Sequence, residues 1–556
     1  MHGANLLALP LDGGGQRDLV SEANLVAAGG GDARAPGTRF NITPTQPVSS
    51  HSRATDCPRQ SDHPVRRTGW SRLCLDTPIK GEGFRGRILA SFALLPLALL
   101  AACSMAPPYQ PPAITPPAAY KESPGWTAAA PADTAARGPW WSAFNDPVLD
   151  DLEAHMAAAS PTLAASLARY DQALAAARET RAGLFPQVSV GGDATRQRLS
   201  GRRPLARGVP NTGNDFTLGA TLDYEIDLWG RVRNSVRAGR AAAEASGADF
   251  AAARLSLQAS VADAYFRLRG LDAEAALLRQ TVDAFGRAYE LTDKRHEGGI
   301  ASGLDVNRSK TQLSDARAQI SAIANDRAAV EHELAALVGE IASGFSIAPV
   351  AAPLEPPAVP ASAPSELLQR RPDVAAAERR MAAANARIGV ARAAFFPSLT
   401  LCLAGGFEAT NGNLFDTPSS YWALGPLSAA LAIFDGGKRR AQVRISRAEY
   451  DETAADYRGQ VLTAFREVED GLAAAHTLTA QAVDQRDSAA AAARTRELAL
   501  IRYRDGAADY LDVVTAQTAA LDAERAVITL QTQRMRSIVA LIRALGGDAG
   551  TIDIAP

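Results

Sequence analysis

Apolar and polar residues alternate with a period of two at two places in the first half of the chain. The clearer run has apolar positions at Phe216, Leu218, Ala220, Leu222, Tyr224 and Ile226. The positions between them include Asp223, Glu225 and Asp227. Such alternation predicts a β-strand with one apolar face and one strongly polar face. A weaker alternation over 188–197 predicts the partner strand.

Long stretches without proline follow these strands. No proline occurs from 211 to 348 or from 427 to 555. Because proline interrupts helices, such stretches predict unusually long ones. Residues 231–296 alone would form a rod about 100 Å long, at about 1.5 Å per residue.

Matched glycines divide the two helical stretches. Gly298, Gly299 and Gly506 predict turns at equivalent places. Beyond each turn, apolar residues recur at spacings of three and four, which is the heptad pattern of helices packed side by side. Arg327 and Arg534 occupy positions on these seams, and we interpret them as long stems with exposed charged heads.

The body of the chain is an internal duplication. A single shift of 207 relates residues 226–339 to the second half without gaps, and it maps Leu304-Asp305-Val306 onto Leu511-Asp512-Val513. The predicted units are residues 140–345 and 365–548, with a Pro-rich linker over 346–364 and a tail over 549–556.

Each unit is predicted to contain a helix, two strands and a long helical stretch. The first helices are expected at about 148–183 and 365–394, and the second unit's strands at 399–407 and 421–434. Pro426 interrupts the last strand, which indicates a bulge or an edge position, because proline lacks the N–H of a ladder hydrogen bond.

The region before the body predicts export and lipidation. Residues 88–102 are apolar but shorter than the roughly 20 residues of a membrane-spanning helix. With its basic flank, the segment 80–102 is typical of a secretory signal peptide. Residues 100–103 resemble the lipobox of bacterial lipoproteins, which implies a covalent lipid on Cys103. The following Ser104 then implies delivery to the outer membrane.

Two further segments surround this signal. Residues 103–139 are predicted to form the lipidated N-terminus and a Pro/Ala-rich tether. A signal peptide is expected at the N-terminus, but residues 1–79 precede this one. We interpret them as an unexplained extension that arises from a misplaced start codon.

Composition argues against several function classes. The chain has 58 basic and 60 acidic residues, and a mildly acidic body disfavours nucleic-acid binding. Four scattered cysteines and seven dispersed histidines do not predict a metal site. No nucleophile elbow or phosphate-binding loop occurs, so neither enzyme activity nor a cofactor is expected.

The strands and the lipid signal together predict a shared barrel. Four strands cannot close a barrel, and open strand edges are costly in lipid. We therefore expect the edges to meet other copies of the chain, with Asp223, Glu225 and Asp227 facing a wet lumen. The alternative is a soluble β-sandwich on a helical stalk.

The body resembles the outer membrane factors, the TolC/OprM/NodT class of efflux outer-membrane lipoproteins. The motifs that carry the resemblance are Trp140-Trp141 with Phe144 and Asp146-Pro147, Phe185-Pro186, Asp227-Leu228-Trp229-Gly230-Arg231, Arg370-Arg371-Pro372-Asp373, Phe396-Pro397, Phe434-Asp435-Gly436-Gly437, and Arg502-Tyr503 with Gly506, Tyr510 and Leu511. The resemblance implies an α+β membrane protein, a homotrimer whose twelve-stranded outer-membrane barrel continues into a helical periplasmic tunnel. It also implies an inner-membrane pump and a periplasmic adaptor as partners.

The resemblance further implies a gate at the periplasmic end. The residues that match it by position are Tyr503, Leu511, Asp512, Leu304 and Asp305. The glycine turns at Gly298, Gly299 and Gly506 would form the tip that docks the adaptor. The chain departs from OprM-like members at Thr515, where they carry an acidic gate residue. The alternative for Asp305 and Asp512 is a capping or pairing role on a solvated surface.

The leading hypothesis is a passive exit duct for small molecules such as drugs and toxic compounds. A type I protein secretion duct remains open as an alternative. From other classes, a lipid-anchored coiled-coil adaptor would need a lipoyl-like domain and one hairpin, and a lipid-anchored hydrolase would need a nucleophile.

Overall fold

The computed structural model describes residues 104–112, 121, 138–198, 200, 202, 212–352, 355, 357, 370–410 and 413–547. The predicted extension, the signal peptide, Cys103, the tail and most of the tether and linker lie outside these residues.

The duplication is visible as two successive sets of elements. The first set is α1 (Pro147–Ala159), α2 (Pro161–Ala182), β1 (Gln187–Arg198), β2 (Thr212–Glu225), α3 (Arg231–Glu297) and α4 (Gly303–Val338). The second set is α5 (Pro372–Ala393), β3 (Ser398–Ala409), β4 (Ser420–Ala430), α6 (Lys438–Arg504) and α7 (Tyr510–Ala544). A short 3-10 helix, Trp140–Phe144, precedes α1. α3 and α6 have 67 residues each, so each is about 100 Å long.

The helix predicted over 148–183 is in fact two helices. Ser160 is extended, with φ −62° and ψ 119°, and Pro161 begins α2. A residue before proline is driven out of the helical region by the proline ring, which explains the break. The second unit has no counterpart of α1 among the described residues, and α5 begins directly at Pro372.

The four strands form one antiparallel sheet in the order β1-β2-β3-β4. Leu401 pairs with Leu427 and Leu403 with Leu424, so β4 carries one extra residue there. The extra residue lies at the predicted position of Pro426, which confirms the bulge. β1 and β4 are the edges of the sheet within the chain. None of the helices in the described ranges combines the length and hydropathy needed to cross a membrane.

The main hydrophobic core lies where α1 packs against the long helices. Its fully buried members include Leu149, Met156, Tyr265, Phe266, Leu268 and Leu334, joined by Met535 and Ile538 from α7. Both units therefore contribute to a single core. The heptad positions predicted on α4, such as Leu313, Ala316 and Val330, are buried against α3.

The prediction that Arg327 keeps an exposed head was wrong. Its side chain is 17% exposed, and its Nε donates to Asp272 Oδ1 at 2.7 Å. Its Nη1 donates to Glu331 Oε2 at 3.0 Å, and its Nη2 donates to the carbonyl oxygen of Ile347 at 2.6 Å. Asp272 and Ile347 lie 55 and 20 residues away in sequence, so the heptad pattern alone did not indicate these two partners.

One carboxyl group of this core has no partner among the described residues. Glu153 on α1 is 1% exposed, and neither of its oxygens accepts a hydrogen bond there. Burial raises the pKa of Glu153 to about 9, and Arg254 opposes the shift more weakly. The carboxyl is therefore protonated at neutral pH, because its charged form is poorly solvated.

Glu153→Gln is expected to stabilise the protein at high pH only. Because the pKa is raised in the folded state, the stability that proton uptake contributes is full below about pH 4, and it is lost as the pH rises towards 9. The amide does not ionise, so we expect equal melting temperatures near pH 4. At pH 8, which is 3.5 pH units above the ordinary pKa of 4.5, the variant should be more stable by about 4–5 kcal/mol, at about 1.4 kcal/mol per pH unit.

Thermal unfolding followed by circular dichroism at both pH values checks this expectation. Asp171→Asn, at an exposed position of α2, is the matched control and should show no such pH dependence. An equal change in melting temperature at both pH values would contradict a buried, titrating Glu153.

Candidate functional site

The two faces of the sheet differ in chemistry. One face carries Val188, Val190, Leu218, Leu222, Leu403, Phe407, Trp422 and Leu424, which follow from the cross-strand register. Val190 and Trp422 are 75% and 80% exposed, although both are strongly apolar. An apolar surface of this extent, not covered by the rest of the described chain, requires an apolar environment.

The opposite face is acidic. It carries Asp223 and Glu225 as predicted, together with Asp193, Asp215 and Glu408, which the sequence analysis missed. The strands hold two basic residues, Arg196 and Arg198, and both belong to the apolar face by their position in the register. Applying the period of two to β1 and β3, and extending it on β2 to the residues before Phe216, would have found the missed acids.

The three predicted lumen acids have different surroundings. Asp223 accepts a hydrogen bond from Cys402 Sγ at 3.2 Å across the β2–β3 ladder. Glu225 accepts from Arg231 Nε at 2.7 Å, and Asp227 accepts from the backbone N–H of Arg233 at 2.8 Å and from its Nε at 3.2 Å. The charges of Glu225 and Asp227 are therefore compensated at the junction between β2 and α3.

A row of glycines crosses the acidic face. Gly191, Gly219 and Gly406 lie opposite one another on β1, β2 and β3, and Tyr421 continues the row on β4. A Cβ atom at Gly219 would overlap the Tyr421 hydroxyl. The end of the tyrosine side chain thus lies over Gly219, a close approach that only a residue without a side chain permits.

The turns at the far ends of the long helices lie at the glycines that the sequence singled out. Gly298 follows α3, and Gly299 and Gly506 have φ of +74° and +76°. Nothing lies within 4 Å of a Cβ at Gly299, so the backbone conformation rather than space requires glycine there. The neighbouring apolar side chains of Ile300 and Leu304 are exposed.

Tyr503 is packed between the two units near these turns. It is 6% exposed, and its ring lies 5.3 Å from that of Tyr510. The Arg295 guanidinium lies 4.7 Å from the centre of the Tyr503 ring, and Arg295 Nη1 donates to the carbonyl oxygen of Tyr503 at 2.6 Å. The Tyr503 hydroxyl donates to Thr292 Oγ1 at 3.4 Å. This cluster joins α3 to α6, and Arg295 and Thr292 were not predicted.

The two aspartates after the turns are not equivalent. Asp305 forms a capping box with Ser302, whose side chain accepts from the Asp305 N–H at 3.2 Å, and Arg308 lies 3.9 Å away. Asp512, its counterpart in the first turn of α7, has no hydrogen-bonded or ionic side-chain partner among the described residues. Leu511 beside it is 51% exposed. The capping role considered as an alternative thus applies to Asp305.

The residues after Cys103 pack along the first helix of the second unit. Ser104 Oγ donates to Asn234 Oδ1 at 3.0 Å, close to the start of α3. Asn385 Nδ2 donates to the carbonyl oxygen of Pro107 at 3.0 Å, and the Tyr109 hydroxyl donates to Glu378 Oε1 at 2.8 Å. Residue 104 therefore lies at the sheet end of the long helices. Cys103 itself lies outside the described residues.

Comparisons with known proteins match nearly the whole described body. The family model for the outer membrane efflux protein matches residues 155–340 and 363–547. The toluene efflux pump outer membrane protein TtgC of Pseudomonas putida is 35% identical over 453 residues, which are 81% of this chain and 93% of that protein. Outer membrane protein OprJ of Pseudomonas aeruginosa is 34% identical over 462 residues, 82% of this chain and 95% of that protein. The solved structure of the outer-membrane channel OprN superposes with a TM-score of 0.74 at 29% identity, covering 80% of this chain and all of that one.

The cluster around Tyr503 generates a prediction about the two turns. Arg295→Ala removes both the cation–π contact and the hydrogen bond to the Tyr503 carbonyl, so α6 should separate more readily from α3. We expect chymotrypsin to cleave at Tyr503 and Tyr510 several-fold faster than in the parent. Limited proteolysis with mass-spectrometric identification of the cut sites measures this.

The control is Arg502→Ala, the counterpart of Arg295 in the second unit. Arg502 donates to the Ala507 carbonyl oxygen within its own turn, so its loss should leave cleavage at the tyrosines unchanged. Equal cleavage rates in the two variants would show that Arg295 does not hold the units together.

Proposed function

The chain belongs to the outer membrane efflux protein family, and on that premise we propose that it forms the exit duct of a tripartite efflux system. The family is one of channels rather than of enzymes. The observation that carries the proposal is the match of the family model to both units, which together contain the sheet and the long helices. An adaptor with a single hairpin does not account for this duplicated architecture.

The duct is a homotrimer with a twelve-stranded barrel. β1 and β4 leave one row of backbone donors and acceptors unpaired on each side of the sheet within the chain. In a bilayer such edges must be paired, so β4 of one copy meets β1 of the next. Three copies of four strands give an even-numbered antiparallel barrel of ordinary size for an outer membrane.

The acidic face of the sheet lines the lumen, and the apolar face meets lipid. Trp422, Val190 and Leu424 support this orientation, since they are exposed and apolar. Inside the barrel, Asp193, Asp215 and Asp223 from each copy make the potential negative, whereas Glu225 is neutralised by Arg231. A lumen with this charge favours cations over anions.

The gate lies at the opposite end, around the turns. Asp512 and Leu511 line its narrowest part. Three Asp512 carboxylates around one axis repel each other and keep the constriction hydrated. Tyr503 supports this constriction by holding α6 against α3. Leu304 and Asp305 form the corresponding part of the gate in the first unit. Gly298, Gly299 and Gly506, with exposed Ile300, form the docking tip for the periplasmic adaptor.

A lipid on Cys103 anchors the duct in the outer membrane. The position of Ser104 beside Asn234, where α3 leaves the sheet, supports this assignment, because an attached lipid would enter the same bilayer as the strands. The cargo is small toxic molecules delivered by an inner-membrane pump, as the name of TtgC suggests for that relative.

Loss of the duct should increase susceptibility to apolar toxic compounds. Deletion of the gene in its host is expected to lower the minimal inhibitory concentration of toluene-like solvents or antibiotics several-fold, and the parental sequence should restore it. Unchanged susceptibility to a broad compound panel would contradict efflux as the function.

Native mass spectrometry of detergent-extracted protein tests the assembly. We expect a trimer in which each chain begins at a lipidated Cys103. A soluble monomer that retains residues 1–102 would contradict the anchor, the topology and the shared barrel together.

Conductance in planar bilayers tests the gate. Asp512→Asn should reduce the preference for cations, and Asp512→Ala should also raise the conductance by loosening the aperture. Asp305→Asn is the matched control in the first unit, and its effect should be smaller because Ser302 already occupies that carboxylate. Unchanged selectivity and conductance in both Asp512 variants would remove Asp512 from the gate.

A further inference from the structure

A cavity of about 790 Å³ lies between three helices, close to the turns at the far ends of α3 and α6. α3 lines it over 277–291, α6 over 490–504 and α7 over 517–524, so a single copy of the chain forms it. Cavities of about 300–1,000 Å³ are typical of sites for small molecules. None of the lining residues belongs to the predicted gate or docking tip.

The inner wall of the cavity is apolar except at two residues. Phe285 and Leu521 are buried there, and the hydroxyl of buried Thr281 is hydrogen-bonded within its own helix. Gln517 is 3% exposed, and its Oε1 accepts no hydrogen bond from the described residues. A buried amide oxygen without a partner is unfavourable, so this wall offers an unused hydrogen-bonding group to a ligand.

The side of the cavity towards solvent is basic. Its charged residues are four arginines and two glutamates, namely Arg287, Arg494, Arg496, Arg504, Glu497 and Glu524. Arg494 pairs with Glu497, and Arg496 Nη1 lies 3.1 Å from Glu524 Oε1. Arg287 and Arg504 are exposed and form no ion pair in the part of the chain that the structure describes. Their guanidinium groups are therefore available to an anionic group of a ligand.

The duplication does not repeat the polar residues of this cavity. The shift of 207 maps Gln517 onto Lys310 and Arg504 onto Glu297. The first unit thus has a cation in place of the buried amide and an acid in place of one unpaired arginine. The polar groups of the cavity are therefore not part of the repeated heptad pattern.

We propose that this cavity binds an amphiphilic organic anion of drug size. The apolar body of the ligand packs on Phe285 and Leu521, and a polar group bonds to the Gln517 amide, which carries both a donor and an acceptor. The anionic group meets Arg287 or Arg504. A cationic ligand would face two unpaired arginines, and a wholly apolar one would leave Gln517 without a partner.

The cavity also borders the cluster around Tyr503. Leu291 of α3 and Leu500 of α6 line the cavity and pack against this cluster. A ligand that contacts both leucines adds a connection between the two helices besides the one from Arg295 to Tyr503. Occupancy of the cavity therefore holds α6 against α3.

Fluorescence anisotropy with the detergent-extracted full-length protein tests the binding. The probes are fluorescein, a drug-sized anion with polar ring oxygens, and rhodamine 6G, a cation with the same ring system. Gln517→Leu should weaken fluorescein binding several-fold, and Arg287→Gln combined with Arg504→Gln should weaken it by about tenfold. Arg486→Gln is the matched control, since Arg486 is an exposed arginine of α6 outside the cavity, and it should leave binding unchanged.

The melting temperature of the ligand-free protein separates binding from a structural role of Gln517. Replacing an unpaired buried amide by an apolar side chain of similar size should raise the melting temperature while it weakens fluorescein binding. A joint loss of stability and binding overturns the proposal. So does a lack of saturable fluorescein binding, as expected of a cavity that holds only water, or an equal loss of rhodamine 6G binding in the same variants.

Protection from chymotrypsin tests where the dye binds. Fluorescein should slow cleavage after Tyr503 several-fold in the parent protein, because the occupied cavity holds α6 against α3. The Arg287→Gln and Arg504→Gln double variant should gain no protection at the same dye concentration. Equal protection of parent and variant would mean that the dye acts elsewhere or on the protease, and it overturns the assignment to this cavity.

Discussion

The unpaired edges of the four-stranded sheet constrain the rest of the molecule. The sheet has one apolar face and one acidic face, and the described helices leave apolar side chains such as Val190 and Trp422 uncovered. A sheet of this kind is stable where lipid covers one side, water fills the other and further strands cover both edges. In the proposed duct, the acidic face of the strands determines which side of the sheet faces the lumen. The long helices then extend that lumen away from the sheet.

The two units have diverged in how much of their surface the chain itself covers. α3 and α6 are equally long, yet α3 buries a large part of its length against α2, α4, α5 and α7. α6 has few buried positions and exposes apolar side chains such as Leu462 and Val483. Within a single copy, α3 is thus largely covered by other helices, whereas α6 is not. In the proposed trimer, the uncovered side of α6 would be available for helix packing between copies, as the free edge of β4 would be for strand pairing.

The parts that the sequence predicted are those governed by local periodicity. The period of two identified β2 with its acidic face, and the absence of proline with matched glycines identified the long helices and their turns. Contacts between distant residues were not predictable in this way. The burial of Arg327 depends on Asp272 and on the returning chain at Ile347, and the burial of Tyr503 depends on Arg295 from the other unit. Ser160 shows an intermediate case, since the break before Pro161 follows a local rule that the overall helical pattern obscured.

The distribution of partners among the acids separates structural from conducting roles. Glu225, Asp227 and Asp305 each bind an arginine or a helix N-terminus, so their charges mainly fix the chain at a strand–helix junction or a turn. Asp512 has no such partner among the described residues, and Asp223 receives only a thiol hydrogen bond. A carboxylate that a cation already compensates contributes little to the field in a water-filled passage, whereas an uncompensated one acts on every ion that passes. For the proposed duct, the charge that acts on passing ions is therefore smaller than the count of acids suggests, and among these acids it belongs to Asp223 and Asp512.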